Sequence, residues 1–309
     1  MKEVLKRILI VLAAVVLFPV ALIFAACGKD EPDDATKPVV TPEPEFLPGY
    51  DTGGATVAAD GDKADLEFGG LDFAAMEYKE DDFTMKYRIY VPEVTEDAPV
   101  LMFFHGAGER GDDNAKQLTT YSGLDGGIAM SEEAADAIII APQCPGTPGD
   151  SNPTGMKWVD VSAWNECEYS VEEIPESEPM EAALKILKIY EEEYSFDRDS
   201  VYAAGLSMGG YATWDAMTRH PDVFAGGAPV CGGCDVSKAE LLADKIIYTF
   251  HGSADGTVPP DGTRKMYEAL ESYGNISYTE YEGQGHGIWN TAFATNGLFD
   301  DLLSGTRPE

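Results

Sequence analysis

Hydrophobic positions along this chain form two kinds of run. From 83 to 91, Phe83, Met85, Tyr87, Ile89 and Val91 take every second place between polar neighbours. That is the period of a strand with one face toward water. The stretch 66–78 reads as a second strand, and Lys79-Glu80-Asp81-Asp82 between the two predicts a hairpin. After residue 100 the pattern changes. Val100–Phe104, 137–141, 201–204, 227–230, 246–250 and Ile276–Tyr281 are short runs, most of them continuously apolar. Strands buried on both faces of a mostly parallel sheet look like this. Helical patterns separate them at 113–121, 180–194, 209–219, 261–273 and 289–303, with Pro179 suited to a first helical turn. The alternation predicts an α/β fold: a doubly wound, mostly parallel sheet with an N-terminal antiparallel hairpin. The stretch 146–179 carries turn residues, Trp158, Trp164 and Tyr169 but little periodicity, and is expected to be an insertion over the sheet's upper edge.

The first 62 residues do not fit that alternation. Lys2, Lys6 and Arg7 precede an apolar run, 8–26, which ends in small residues directly before Cys27. Its length would suit a membrane span. The small residues before a cysteine, however, resemble a bacterial lipoprotein signal peptide, although Phe24 stands where leucine is usual. The resemblance implies cleavage after Ala26 and a lipid on Cys27; the alternative is an uncleaved N-terminal anchor. Either way the expected place is outside the cytoplasm, anchored to the bacterial cell envelope at the outer surface or in the periplasm. Residues 27–62, acidic and proline-rich, read as a solvated tether. Residues 63–309 are then the folded domain.

Composition narrows the partners. A formal net charge of −34 argues against nucleic acid and anionic membrane surfaces. Beyond Cys27 the cysteines are Cys144, Cys167, Cys231 and Cys234, which allow three disulfide pairings that spacing cannot separate. Cys231-Gly-Gly-Cys234 lacks a second C-x-x-C and a histidine at finger spacing, so no metal site is expected and packing or a structural disulfide is.

Candidate chemistry lies in loops at the carboxyl ends of the predicted strands, where such sheets place their sites. Gly205-Leu-Ser207-Met-Gly209 joins a buried strand to a helix in the pattern of a nucleophile elbow. His105-Gly-Ala-Gly108 follows an earlier buried strand, and there the Ala107 N–H can join the Met208 N–H in holding an oxyanion. It is not a phosphate loop, because no G-K-[ST] follows. Asp255, after the 246–250 strand, is placed to orient a histidine. Its competitor Asp261 is better explained as a residue of the next helix's first turn. Of four histidines, His105 belongs to the oxyanion turn, His220 to a helix end, and His251 to a strand end where it braces loops. His286, between glycines and last in the order Ser…Asp…His, is the expected base.

These residues carry a family resemblance over about 68–303. His105-Gly-Ala-Gly-Glu-Arg-Gly-Asp-Asp-Asn114, Ala141-Pro-Gln-Cys-Pro145, Gly205-Leu-Ser-Met-Gly-Gly210, Pro229-Val-Cys-Gly-Gly233, His251-Gly-Ser-Ala-Asp255 with Val258-Pro259, and Gly285-His286 resemble the α/β-hydrolase superfamily. Within it they look like the esterase and predicted-peptidase group related to feruloyl esterases, polyhydroxybutyrate depolymerases and prolyl-oligopeptidase catalytic domains. The resemblance implies an α/β-hydrolase fold and a serine esterase with catalytic Ser207, Asp255 and His286 and no cofactor. The expected substrate is a small-molecule or oligosaccharide ester, with acetyl or feruloyl groups on carbohydrate, and Trp158, Trp164 and Trp289 are expected to touch it. Rival readings are a peptidase on short peptides, a general short-chain carboxylesterase, and a non-catalytic surface binding lipoprotein.

Overall fold

Strand β5, Val100–Phe104, shows how the sheet is covered. Val100, Met102 and Phe104 join one buried cluster while Leu101 and Phe103 join another, so successive side chains enter two separate cores. Neither face is left to water, which is why the run reads as continuously apolar. The computed structural model describes residues 45–120, 122–147 and 155–308. The expected signal segment 1–26, Cys27 and the tether as far as 44 lie outside the described residues.

In chain order the strands are β1 Ala55–Ala59, β2 Leu66–Phe68, β3 Leu71–Glu80, β4 Phe83–Tyr90, β5, β6 Ile138–Gln143, β7 Val201–Leu206, β8 Gly226–Val230, β9 Ile246–Gly252 and β10 Ile276–Tyr281. They make one sheet in the order β1-β3-β4-β6-β5-β7-β8-β9-β10, with β2 beside β3. Pairing from β6 through β10 is parallel, whereas β1, β3, β4 and the β4–β6 junction are antiparallel. The fold is therefore the expected α/β sheet with its antiparallel hairpin. Helices Glu178–Glu193, Met208–Arg219 and Asp261–Leu270 supply Leu184, Leu187, Trp214, Met217 and Met266 to one core. Helices Leu124–Ala129, Trp289–Phe293 and Leu298–Leu303 supply Ile128, Phe293, Phe299 and Leu302 to the other.

Four expectations need correction. The stretch read as tether is structured from residue 45: Phe46 and Leu47 are buried, and β1 pairs Ala55 with Glu80 of β3. No β1 residue is fully buried, and its side chains are small apart from Val57, so the strand left only a weak hydrophobic signal. The single strand 66–78 is divided, because Gly69 and Gly70 turn it at φ +58° and +82°. The helix expected at 289–303 is two helices, separated where Gly297 adopts φ +77°. The helix expected at 113–121 shrinks to Lys116–Thr119. Asn114 before it sits at φ +51° with its amide spent on Asp60 and the Met76 carbonyl.

Gly227 of β8 sets the height of the helix above it, while Gly226 lets β8 lie close to β9. A Cβ at Gly226 would stand 2.2 Å from the Ile246 carbonyl oxygen, and one at Gly227 would stand 3.0 Å from both Thr213 Cγ2 and Met217 Sδ. The Met208–Arg219 helix therefore rests almost on strand backbone. The described part of the insertion, 155–179, runs along this same helix. Tyr211 Oη donates to the Trp164 carbonyl (2.7 Å), Tyr169 Oη to Asp215 (2.9 Å), and Arg219 to the carbonyls of Val171 (2.9 Å) and Ile174 (2.6 Å).

Candidate active site

The turn between β7 and the Met208–Arg219 helix has no room for side chains at its flanks. A Cβ at Gly205 would lie 2.3 Å from the Gly209 carbonyl oxygen, and one at Gly209 would lie 1.8 Å from that of Phe104. Between them Ser207 adopts φ +55°, ψ −116°, a conformation costing about 1–3 kcal/mol in a non-glycine residue. Its N–H donates to the Val230 carbonyl at 2.8 Å. The bond to the neighbouring strand end and the close glycines hold the strained turn in place.

His286, from the loop after β10, reaches this serine. Ser207 Oγ lies 2.8 Å from His286 Nε2, and His286 Nδ1 lies 2.6 Å from Asp255 Oδ2. With a carboxylate facing Nδ1, that nitrogen carries the proton, which leaves Nε2 to accept from the serine hydroxyl. Asp255 turns its other oxygen to the backbone, taking N–H bonds from Thr257 (2.8 Å) and Val258 (3.0 Å). Burial alone would raise the Asp255 carboxyl. Donors from His251, His286 and Thr257 outweigh burial and hold it well below the usual carboxylate range. Asp261 stands in the first turn of the next helix and pairs with Arg264 at 3.0 Å.

The turn after β5 lies against the elbow. A Cβ at Gly106 would meet Leu206 Cδ1 and Glu109 Oε2, each at 2.8 Å. Ala107 opens a single 3-10 turn, Ala107–Glu109, and Met208 opens the elbow helix. First-turn N–H groups have no acceptor inside their own helix, so both positions offer a donor. His105 braces the turn from beneath: it is fully buried, accepts the Cys144 N–H at Nε2 (2.9 Å), and donates from Nδ1 to the Gly106 carbonyl (2.6 Å). Burial lowers its pKa to about 4. Arg110 Nε donates to the Ala107 carbonyl and Arg110 Nη1 to that of Met156, both at 3.0 Å, tying the insertion to the turn.

The three tryptophans part company. Trp158 is fully buried, packed edge-on to Phe104 and His105, and its Nε1–H donates to the His105 carbonyl at 3.1 Å. It cannot touch a substrate. Trp164 and Trp289 are partly exposed, and Trp289 stands edge-on to the His286 ring with centroids 5.5 Å apart.

Sequence reasoning missed the surroundings of Asp255. His251, four residues earlier, is fully buried with Nε2 3.3 Å from Asp255 Oδ2. Cys231, His251 and Asp255 place ligand-type atoms within 4.8 Å of one another, the one such group among the described residues. The two nitrogens of His251 are engaged, by Thr263 Oγ1 and the Val258 carbonyl, each at 2.9 Å. This is a hydrogen-bonded cluster, with its donors already committed. The H-G-S-A-D spacing was the available signal. All four described cysteines are free thiols.

The sequence profile of the phospholipase/carboxylesterase family matches residues 86–297. Poly(3-hydroxyalkanoate) depolymerase C of Paucimonas lemoignei is 30% identical over 116 residues, which is 28% of this chain and 28% of the depolymerase. The chain spans less than half the length of the curated relatives it matches. Among solved structures, a thermostable esterase is 31% identical with a TM-score of 0.62, over 75% of this chain and 62% of that one. An acylaminoacyl peptidase of Pyrococcus horikoshii shares the fold at 16% identity and a TM-score of 0.53, over 75% of this chain and 42% of the peptidase. With its mostly parallel sheet, its elbow serine and a profile match over most of its length, the chain belongs to the phospholipase/carboxylesterase family of α/β-hydrolases.

Proposed function

We propose that this protein is a serine esterase, and that Ser207, His286 and Asp255 act as its nucleophile, base and orienting acid. The observation that carries the reading is the continuous pair of hydrogen bonds through His286, 2.8 Å to Ser207 and 2.6 Å to Asp255. His286 takes the Ser207 proton as Oγ adds to the ester carbonyl, and the Met208 and Ala107 N–H groups receive the negative oxygen. The tetrahedral species collapses as His286 returns the proton to the leaving alcohol, giving an acyl-serine. Water, deprotonated by His286, then releases the carboxylic acid and restores Ser207. Each oxyanion donor contributes about 3–4 kcal/mol in comparable enzymes. Apart from the ester and a water molecule, each step is assigned to side chains and backbone of this chain.

For the substrate, the reading is an acetyl or feruloyl ester on carbohydrate, handled outside the cytoplasm by a protein anchored through Cys27. Trp289 beside His286 and the partly exposed Trp164 supply flat apolar faces suited to a sugar or an aromatic acyl group. The esterase at 31% identity favours ester over amide cleavage. A panel of p-nitrophenyl esters of graded length, methyl ferulate, acetylated xylan and a chromogenic peptide tests this. Ester cleavage that vanishes in Ser207→Ala is expected. Peptide cleavage without ester cleavage would replace the reading with a peptidase, and no fluorophosphonate adduct at Ser207 would make the protein a binding module.

A further inference from the structure

The proposed mechanism leaves unused a second histidine on the same carboxylate. His251 and Asp255 have fully buried side chains. His251 Nε2 faces two acceptors, the Val258 carbonyl at 2.9 Å and Asp255 Oδ2 at 3.3 Å. A nitrogen between two acceptors carries a proton. Nδ1 is therefore free to accept from the Thr263 hydroxyl, which lies 2.9 Å from it and 3.4 Å from its other acceptor, the Gly232 carbonyl. The ring is thus fixed in one orientation, held by Thr263 on one side and Val258 on the other.

Asp255 consequently meets donors on both oxygens. Oδ1 takes the N–H groups of Thr257 and Val258, and Oδ2 takes His286 Nδ1–H with His251 Nε2–H beside it. Cys231 adds a thiol close to the same carboxylate from the end of β8, where its backbone sits at φ +49°. The two backbone N–H groups anchor Oδ1 and leave the carboxylate a smaller freedom, a tilt about its Cβ–Cγ bond that moves Oδ2. With one side of Oδ2 taken by His251, the remaining lone pair is directed at His286.

We infer that His251, with its ring held by Thr263, is a positioning residue of the esterase: its Nε2–H fixes the angle at which Asp255 presents Oδ2 to His286. The inference rests on the serine-esterase reading above. It also accounts for the H-G-S-A-D spacing, because a histidine at the end of β9 and an aspartate four residues on meet across one tight loop.

Two substitutions separate the Nε2–H donor from the bulk of the ring. Gln at 251 can set an amide N–H near the position of Nε2, whereas Asn is too short to reach it and mimics only Nδ1. With p-nitrophenyl acetate, at a pH where the wild-type rate is on its plateau, His251→Asn is expected to lower kcat by about 10- to 100-fold. KM stays within about threefold, because the ring touches no substrate. His251→Gln recovers most of the loss. Should His251→Asn fail to fold, Thr263→Val, which removes one of the ring's two anchors, is expected to lower kcat about three- to tenfold with KM again unchanged. His251→Asn at wild-type kcat, or an equal loss in the Asn and Gln variants, would overturn the inference; so would Thr263→Val at wild-type kcat. The esterase reading fails separately, and visibly: wild-type hydrolysis would then survive Ser207→Ala.

Discussion

Gly209 and Phe104 meet backbone to backbone: a Cβ added to Gly209 would stand 1.8 Å from the Phe104 carbonyl oxygen. The elbow helix thus begins in contact with the end of the strand whose following loop carries the proposed oxyanion turn. Gly209→Ala cannot relieve this contact without moving one of the two. It is expected to abolish soluble expression or lower stability by more than about 3 kcal/mol, in the range of severe overpacking. Gly108 has no atom within 4 Å of its would-be Cβ. Gly108→Ala should therefore melt within about 1 kcal/mol of the parent. Chemical denaturation of the two variants checks the contrast.

Asp255 keeps its charge because donors surround it, and its service to His286 requires that charge. Asp255→Asn turns an acceptor into an amide of nearly the same shape. The expected loss is about 10⁴-fold in kcat, the size seen when an aspartate of this kind is neutralised and the histidine takes the wrong tautomer. Single-turnover kinetics with a chromogenic ester measures it. A loss below about tenfold would remove Asp255 from the assignment.

Glu109, buried at the foot of the oxyanion turn, has its carboxyl raised by burial to about 7 from an ordinary 4.5. The folded protein then binds this proton more tightly than the unfolded chain does. Its contribution to stability is full below about pH 4.5, falls as pH rises toward 7, and is level above that. Glu109→Gln removes the dependence. Relative to the parent the variant should be unchanged near pH 4 and more stable at pH 8 by up to about 3 kcal/mol. Urea unfolding at the two pH values decides it.

Trp158 and Trp289 should fail in different ways. Trp158→Phe leaves the His105 carbonyl without its indole donor and opens a small cavity, so a loss of about 1–3 kcal/mol in stability is expected with KM unchanged. Trp289→Ala removes a partly exposed ring beside His286. There the expected change is a KM raised about threefold or more for aromatic esters, with thermal stability within about 1 kcal/mol. Melting curves and steady-state kinetics on both variants test the pair.

The central strands were legible because both of their faces are covered, and a continuous apolar run that short fits a doubly covered strand better than a helix. The elbow and the loops bearing Asp255 and His286 were legible because glycine spacing and chain order constrain them. β1 was not, since a five-residue edge strand of mostly small side chains, with Val57 its one large apolar residue, pairs through its backbone and carries too little pattern to stand out from the polar stretch around it. Trp158 misled for the opposite reason. An aromatic residue in an aperiodic stretch looks available for binding, and only the fold reveals that its indole N–H is already spent on His105. His251 braces its loop through the Val258 carbonyl, as its place at a strand end implies. Its nearness to Asp255 depends on how one tight loop closes, and composition carries no trace of that.

The close seating of the Met208–Arg219 helix on Gly227 divides the molecule into what can vary and what cannot. Beneath Ser207 there is no slack, so a change in β8 or at the elbow is answered by misfolding before it can alter selectivity. Room for innovation lies above, in 155–179 and in the loop carrying His286 and Trp289. A mutant library aimed at new acyl groups should leave the floor, His286 and the buried Trp158 untouched and randomise the exposed positions of those two margins. Its survivors would differ in what they admit, while holding the same serine at the same height.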